Sequence, residues 1–112
     1  MHHHMLAYTE TGAADAPPLL IAHGLYGSGR NWGVIAKRLS DTRRIITPDM
    51  RNHGSSPRDA DHSYPAMARD LAEVAEHFGA PIDLCGHSMG GKAAMAMALA
   101  HPDLIRRLVV AD

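Results

Sequence analysis

Apolar and polar positions along this chain alternate between two periods. Short continuous apolar runs are separated by polar, glycine-rich loops and by stretches with helical spacing. The runs at 19–23, 43–48, 81–85 and 106–112 read as strands. The run at 19–23 is continuously apolar, as a strand covered on both faces requires. Residues 6–10 read as a further short strand. Between the runs, Trp32, Ile35, Ala36 and Leu39 recur at helical spacing and predict a helix over 32–39. Met67, Leu71, Val74, Ala75 and Phe78 predict another, with Ser63 as its N-cap, Pro65 in its first turn and Gly79 at its end. A third helix, rich in Ala and Met, spans 90–101 and is stopped by Pro102. Strands alternating with helices imply right-handed βαβ crossovers and a mostly parallel sheet with helices on both faces, an α/β fold. Such sheets bind ligands at the carboxyl ends of their strands. The loops beginning at Gly24, Asp49 and Gly86 all fall at such ends.

At 112 residues the chain is at most one domain and long enough to bury a core. Eleven basic and 12 acidic residues leave a formal charge of −1, with no basic stripe to meet a nucleic-acid backbone. The longest apolar runs are too short to cross a membrane. A single cysteine, Cys85, rules out an intrachain disulfide and fits a reducing compartment, so the expected location is the cytoplasm. Residues 1–4 read as an expression remnant ahead of Met5, and His2, His3 and His4 are set aside as a biological metal site. The domain is then expected over 5–112.

The stretch "CGHSMGGKAA" at 85–94 carries the chemistry and admits several readings. As G-x-S-x-G, it puts Ser88 on a tight turn between strand and helix, clear of its own backbone, with Gly86 and Gly90 where larger side chains would collide. The backbone N–H of Met89, at the start of the helix, then supplies half of an oxyanion site. As G-x-x-x-x-G-K, the same residues approach a phosphate-binding P-loop ending at Lys92. However, position 93 is Ala, where that motif needs a hydroxyl for the metal. A third reading makes Ser88 a simple helix cap.

The loop "HGLYGSGRNW", again after a strand and before a helix, favours the nucleophile. Gly24 lets the backbone turn so that the N–H of Leu25 converges with that of Met89, the pair of donors a tetrahedral oxyanion needs. His23 reads as a brace for that turn, and it stands with Gly24, Tyr26 and His87 as a residue around the substrate pocket. Trp32 reads as core.

Together with "DMRNHGSSPRD", "YPAMARDL" and "GHSMGGKAAMAMALAHPDLIRRLVVAD", these segments resemble the N-terminal half of the α/β-hydrolase-fold serine esterases, in particular the small bacterial esterases. The likeness runs from Leu6 through Asp112 with the motifs in order. It implies hydrolysis of carboxylic esters or thioesters by acyl transfer through Ser88, with no cofactor and no metal. It also implies Leu25 and Met89 as oxyanion donors and Asp112 as the acid of the triad. Ser88 and Asp112 would end neighbouring parallel strands, which lie about 5 Å apart. The histidine base has no counterpart here. His87 adjoins the nucleophile and points away, His101 lies at the far end of the helix, and His62 and His77 belong to the outer helical layer. For His53 the resemblance implies a loop brace or a pocket residue. The chain therefore reads as the N-terminal portion of a hydrolase, expected to need a complementary C-terminal segment or a second chain. The alternatives are an inactive half of a split or assembled protein and, less favoured, a P-loop-like nucleotide binder.

Overall fold

Strand pairing follows the apolar runs. The computed structural model describes residues 5–12, 18–24, 37 and 43–111. Five strands, β1 (Tyr8–Thr11), β2 (Pro18–Ala22), β3 (Arg44–Pro48), β4 (Ile82–His87) and β5 (Ile105–Ala111), form one sheet in the order β1-β3-β2-β4-β5. The β2/β3, β2/β4 and β4/β5 pairs are parallel, whereas β1 runs antiparallel to β3 along the sheet margin. Successive side chains on a strand face opposite sides. Thus Leu20, Ile46, Ile82 and Leu84 join the main core, while Ile21 and Ile45 form a second cluster with Leu19 and Cys85.

Two helices, α1 (Tyr64–His77) and α2 (Met89–Ala100), pack together over the main core. Ser63 caps α1, its Oγ accepting the N–H of Ala66 at 3.3 Å, and Pro65 occupies the first turn where its missing N–H costs nothing. Met67, Leu71 and Val74 turn its apolar face inward. Helix α2 buries Ala93, Ala94 and Met97 but leaves Met95 and Leu99 exposed. A single 3-10 turn, Pro102–Leu104, then leads into β5. The helix predicted over 32–39 lies outside the described residues apart from Lys37, which is helical.

The chain steps from β2 outward to β3, then crosses back through α1 to place β4 on the other side of β2. Strand order reverses between β2 and β4, and a crevice opens beyond the carboxyl ends at such a point. Ala22 pairs with Gly86 there, so the residues that follow each strand meet.

Candidate active site

Strand β4 ends at His87 and α2 begins at Met89, leaving Ser88 as the whole connection. So tight a turn puts Ser88 at φ 55° and ψ −116°, a region that a residue with a Cβ rarely enters. Strain of this kind costs on the order of 1–3 kcal/mol and persists only where the surroundings over-determine it. Here they do. A Cβ on Gly86 would lie 2.5 Å from the Gly90 carbonyl oxygen, and one on Gly90 would lie 2.2 Å from that of Ala22. The Ser88 N–H donates to the carbonyl of Ala111 at 2.9 Å, and the Ser88 carbonyl accepts the N–H of Lys92 at 3.1 Å.

Two of the readings of this segment fail on the geometry. Ser88 occupies the N-cap position of α2, but its side chain makes no capping hydrogen bond and its backbone lacks the extended form of an N-cap, so a capping role does not account for the serine. A P-loop wraps phosphate with several backbone N–H groups between strand and helix. A one-residue connection has no such loop.

Gly24 lies beside the turn. A Cβ there would stand 3.2 Å from the Ser88 Cβ and 3.3 Å from His87 Nδ1, and its absence opens the approach to Ser88. His87 is half-buried. His23 is 1% exposed, with both ring nitrogens held by backbone. Nδ1 lies 2.6 Å from the Gly24 carbonyl oxygen, and Nε2 lies 2.9 Å from the N–H of Met50. Nδ1 must therefore donate and Nε2 must accept, which requires the neutral ring. Burial pushes its pKa below the ordinary histidine value, against the bond to Gly24. With neither ring nitrogen available, His23 lies beneath the turn and offers nothing polar to a substrate. It braces the loop after β3 against the turn after β2. Leu25, Tyr26, Trp32 and Asp112 lie outside the described residues.

An open depression of about 310 Å³ adjoins Ser88, lined by His62, Tyr64, Met67, Ser88, Met89 and Lys92. Met67 and Met89 are buried, whereas His62, Ser88 and Lys92 are exposed. His62 is a correction to the sequence reading. It belongs to the loop leading into α1 and reaches the Ser88 depression, not an outer helical layer. That loop is drawn in by Arg51, whose guanidinium grips the buried Asp70 of α1 with bonds of 2.7 and 3.0 Å and donates to the Asp61 carbonyl. His53 is buried and donates from Nδ1 to the Arg51 carbonyl, its ring centroid 5.1 Å from that of His23. His77 packs against Tyr8 and Phe78, and His101 lines a separate cavity with Arg51, Arg69 and Glu73. Among the described residues no cluster of three or more His, Cys, Asp or Glu is arranged to hold a metal ion. No described helix is long and apolar enough to cross a membrane.

A model of the alpha/beta hydrolase fold family matches residues 17–112. The chain belongs to the α/β-hydrolase fold family. It is 47% identical over 104 residues to the mouse (Mus musculus) sn-1-specific diacylglycerol lipase ABHD11, a match covering 90% of the chain and 34% of the mouse protein. It is 45% identical over 109 residues to esterase YbfF of Escherichia coli, covering 95% of the chain and 42% of that protein. Among solved structures, a marine microorganism esterase superposes with a TM-score of 0.92 at 46% identity, covering 96% of this chain and 41% of the other. The chain thus spans between a third and a half of the length of these relatives. They are named esterases and lipases, and hydrolysis is the chemistry common to the names.

Proposed function

We propose that Ser88 is the nucleophile of a serine hydrolase acting on carboxylic esters or thioesters. The observation that carries this reading is the Ser88 backbone, held at positive φ on a one-residue strand-to-helix turn with its side chain exposed beside a depression. The fold gains no cap from that serine, so the strain there points to chemistry. The esterase and lipase names of the relatives support the substrate class.

In this reading the Ser88 Oγ attacks the carbonyl carbon while its proton passes to an imidazole base. The oxyanion is met by the N–H groups of Met89 and Leu25. The carbon–oxygen or carbon–sulfur bond then breaks, and the base returns the proton to the leaving alcohol or thiol. Water cleaves the acyl-enzyme by the same route and restores Ser88. Asp112 is assigned as the acid that orients the base. The register favours this, because Ala111 pairs with His87 and accepts the N–H of Ser88. The base is assigned to a histidine outside these 112 residues, carried by a complementary segment or a second chain. A protein of this kind, with one half-buried cysteine and no described membrane-spanning helix, suits the cytoplasm.

Intact-mass spectrometry after treatment with a fluorophosphonate, which traps activated serines, tests the assignment. An adduct that maps to Ser88 and vanishes in Ser88→Ala is the expected result. It should appear strongly only when the missing part of the triad is supplied. Labelling that survives Ser88→Ala overturns the reading, and so does its absence in a full-length parent that turns over esters.

A further inference from the structure

The depression beside Ser88 has an apolar floor and a rim whose charge is one-sided. Met67 and Met89 form the floor, His62, Tyr64 and Lys92 stand around it, and no carboxylate lines it among the described residues. Lys92 is exposed and has no ion-pair partner among them. It also sits in the first turn of α2, where a cation opposes the helix dipole, and no acidic residue in that turn offsets it. Lys92 therefore breaks a local rule with no gain to the fold, as residues at functional sites do.

His62 adds a second donor, and its polarity can be deduced. The Asn52 side-chain Oδ1 accepts the N–H of Asp59 at 2.7 Å, which fixes the side-chain amide so that its nitrogen faces His62 Nδ1 at 3.0 Å. An amide nitrogen only donates, so Nδ1 accepts and the neutral ring carries its proton on Nε2. The remaining ring nitrogen is then a donor.

We propose that this depression receives a carboxylate, borne on the non-reacting end of the ester or thioester. A planar group with two oxygens matches two separate donors, one ammonium and one imidazole N–H, while the methionine floor takes the intervening carbon chain. The proposal rests on the reading of Ser88 as the attacking residue only for the word ester. Recognition of the carboxylate is a property of the depression itself.

The test is equilibrium binding to this chain, followed by amide and methyl NMR shifts, with monomethyl succinate against its neutral counterpart dimethyl succinate. Monomethyl succinate is expected to bind about two- to fivefold more tightly at low salt, the range of an exposed charge pair. Shifts should centre on Met67 and Met89, and the preference should fade at about 1 M salt. Lys92→Ala should erase the preference and Lys92→Arg should keep it; Lys92 is exposed, so both variants fold. Equal binding of the two esters, no binding of either, or a preference that persists in Lys92→Ala overturns the proposal. Fluorophosphonate labelling is read separately, so failure of the nucleophile and failure of the anion site give different results.

Discussion

A methyl group on Gly90 would stand 2.2 Å from the carbonyl oxygen of Ala22. The first turn of α2 thus lies directly on the end of β2, with backbone against backbone. Neither side can yield by rotating a side chain, so Gly90→Ala has to push the helix off the sheet. Overpacking typically costs 1–3 kcal/mol, and a backbone obstacle places this case near the upper end, at about 3 kcal/mol. Urea unfolding of the variant should show that loss. A change below about 0.5 kcal/mol would mean that the helix start is not seated as described. Gly24→Ala makes the contrast: its nearest neighbour is the Ser88 Cβ at 3.2 Å. It should cost less stability but slow labelling of Ser88 by crowding it.

Asp83 anchors the opposite end of β4, about 16 Å from Ser88 at the usual strand rise. Its carboxylate is buried and receives two bonds from Arg106, at 2.9 and 2.7 Å, and one from Arg43 at 2.7 Å. The Arg106 guanidinium, with help from Arg43, holds the carboxyl below the usual aspartate value against the effect of burial. A depressed carboxyl stabilises the fold above its unfolded pKa, near 3.8, and that stability is lost as pH falls toward the folded value. Asp83→Asn should therefore lower stability at neutral pH by about 2 kcal/mol, since both arginines stay partly hydrated. It should also flatten the acid side of the stability curve below about pH 4 while leaving the reactivity of Ser88 unchanged. A variant that still loses stability as steeply on acidification would assign that loss to other groups.

Local pattern carried much of this architecture. The unalternating apolar run at 19–23 read as a strand covered on both faces, and Ser63 with Pro65 marked the start of α1. Gly86, Ser88 and Gly90 announced a tight turn because nothing larger fits at those spacings. What pattern left open was decided by contacts between distant residues. The strand expected to stop at Cys85 runs on to His87, because Gly86 and His87 pair with Val110 and Ala111. That extension removes the loop a P-loop would need. The antiparallel sense of β1 has no periodic signature. His62 reaches the Ser88 depression because Arg51 joins Asp70, 19 residues away, and Asn52 joins His62. A charged pair at that separation is invisible to periodicity. The signal that was present lay in composition: Arg, Asn and two histidines crowd a loop at a strand's carboxyl end.

His23 should make the fold sensitive to mild acid. Its ring is buried and neutral, and its pKa is depressed chiefly by burial. Stability from such a group is complete above the unfolded value of 6.5 and is lost as pH falls below it. The urea midpoint should therefore decline between about pH 7 and pH 5, before Asp83 begins to titrate. His23→Gln removes that proton-binding site. It should lower stability at pH 7.5, where the bonds to Met50 and Gly24 are weakened, and flatten the decline below pH 6.5. A midpoint that stays level from pH 7.5 to 5.5 in the unmodified protein would contradict the neutral, doubly engaged ring.

Ser88 offers a separation of stability from chemistry. Its φ of 55° is unfavourable for any residue with a Cβ and comfortable for glycine. Its side chain makes no capping bond, so truncation removes no contact the fold relies on. Glycine also enlarges the entropy of the unfolded chain, which offsets part of the relief, at roughly 0.5–1 kcal/mol. With strain of about 1–3 kcal/mol released, Ser88→Gly should leave the protein more stable by about 1 kcal/mol, while fluorophosphonate labelling is abolished. Ser88→Ala keeps the Cβ and the strain, so it should abolish labelling at unchanged stability. The two variants together distinguish a strained nucleophile from an ordinary turn residue. If Ser88→Gly proves less stable than Ser88→Ala, the backbone at this turn is not under strain, and the main support for Ser88 as nucleophile is gone.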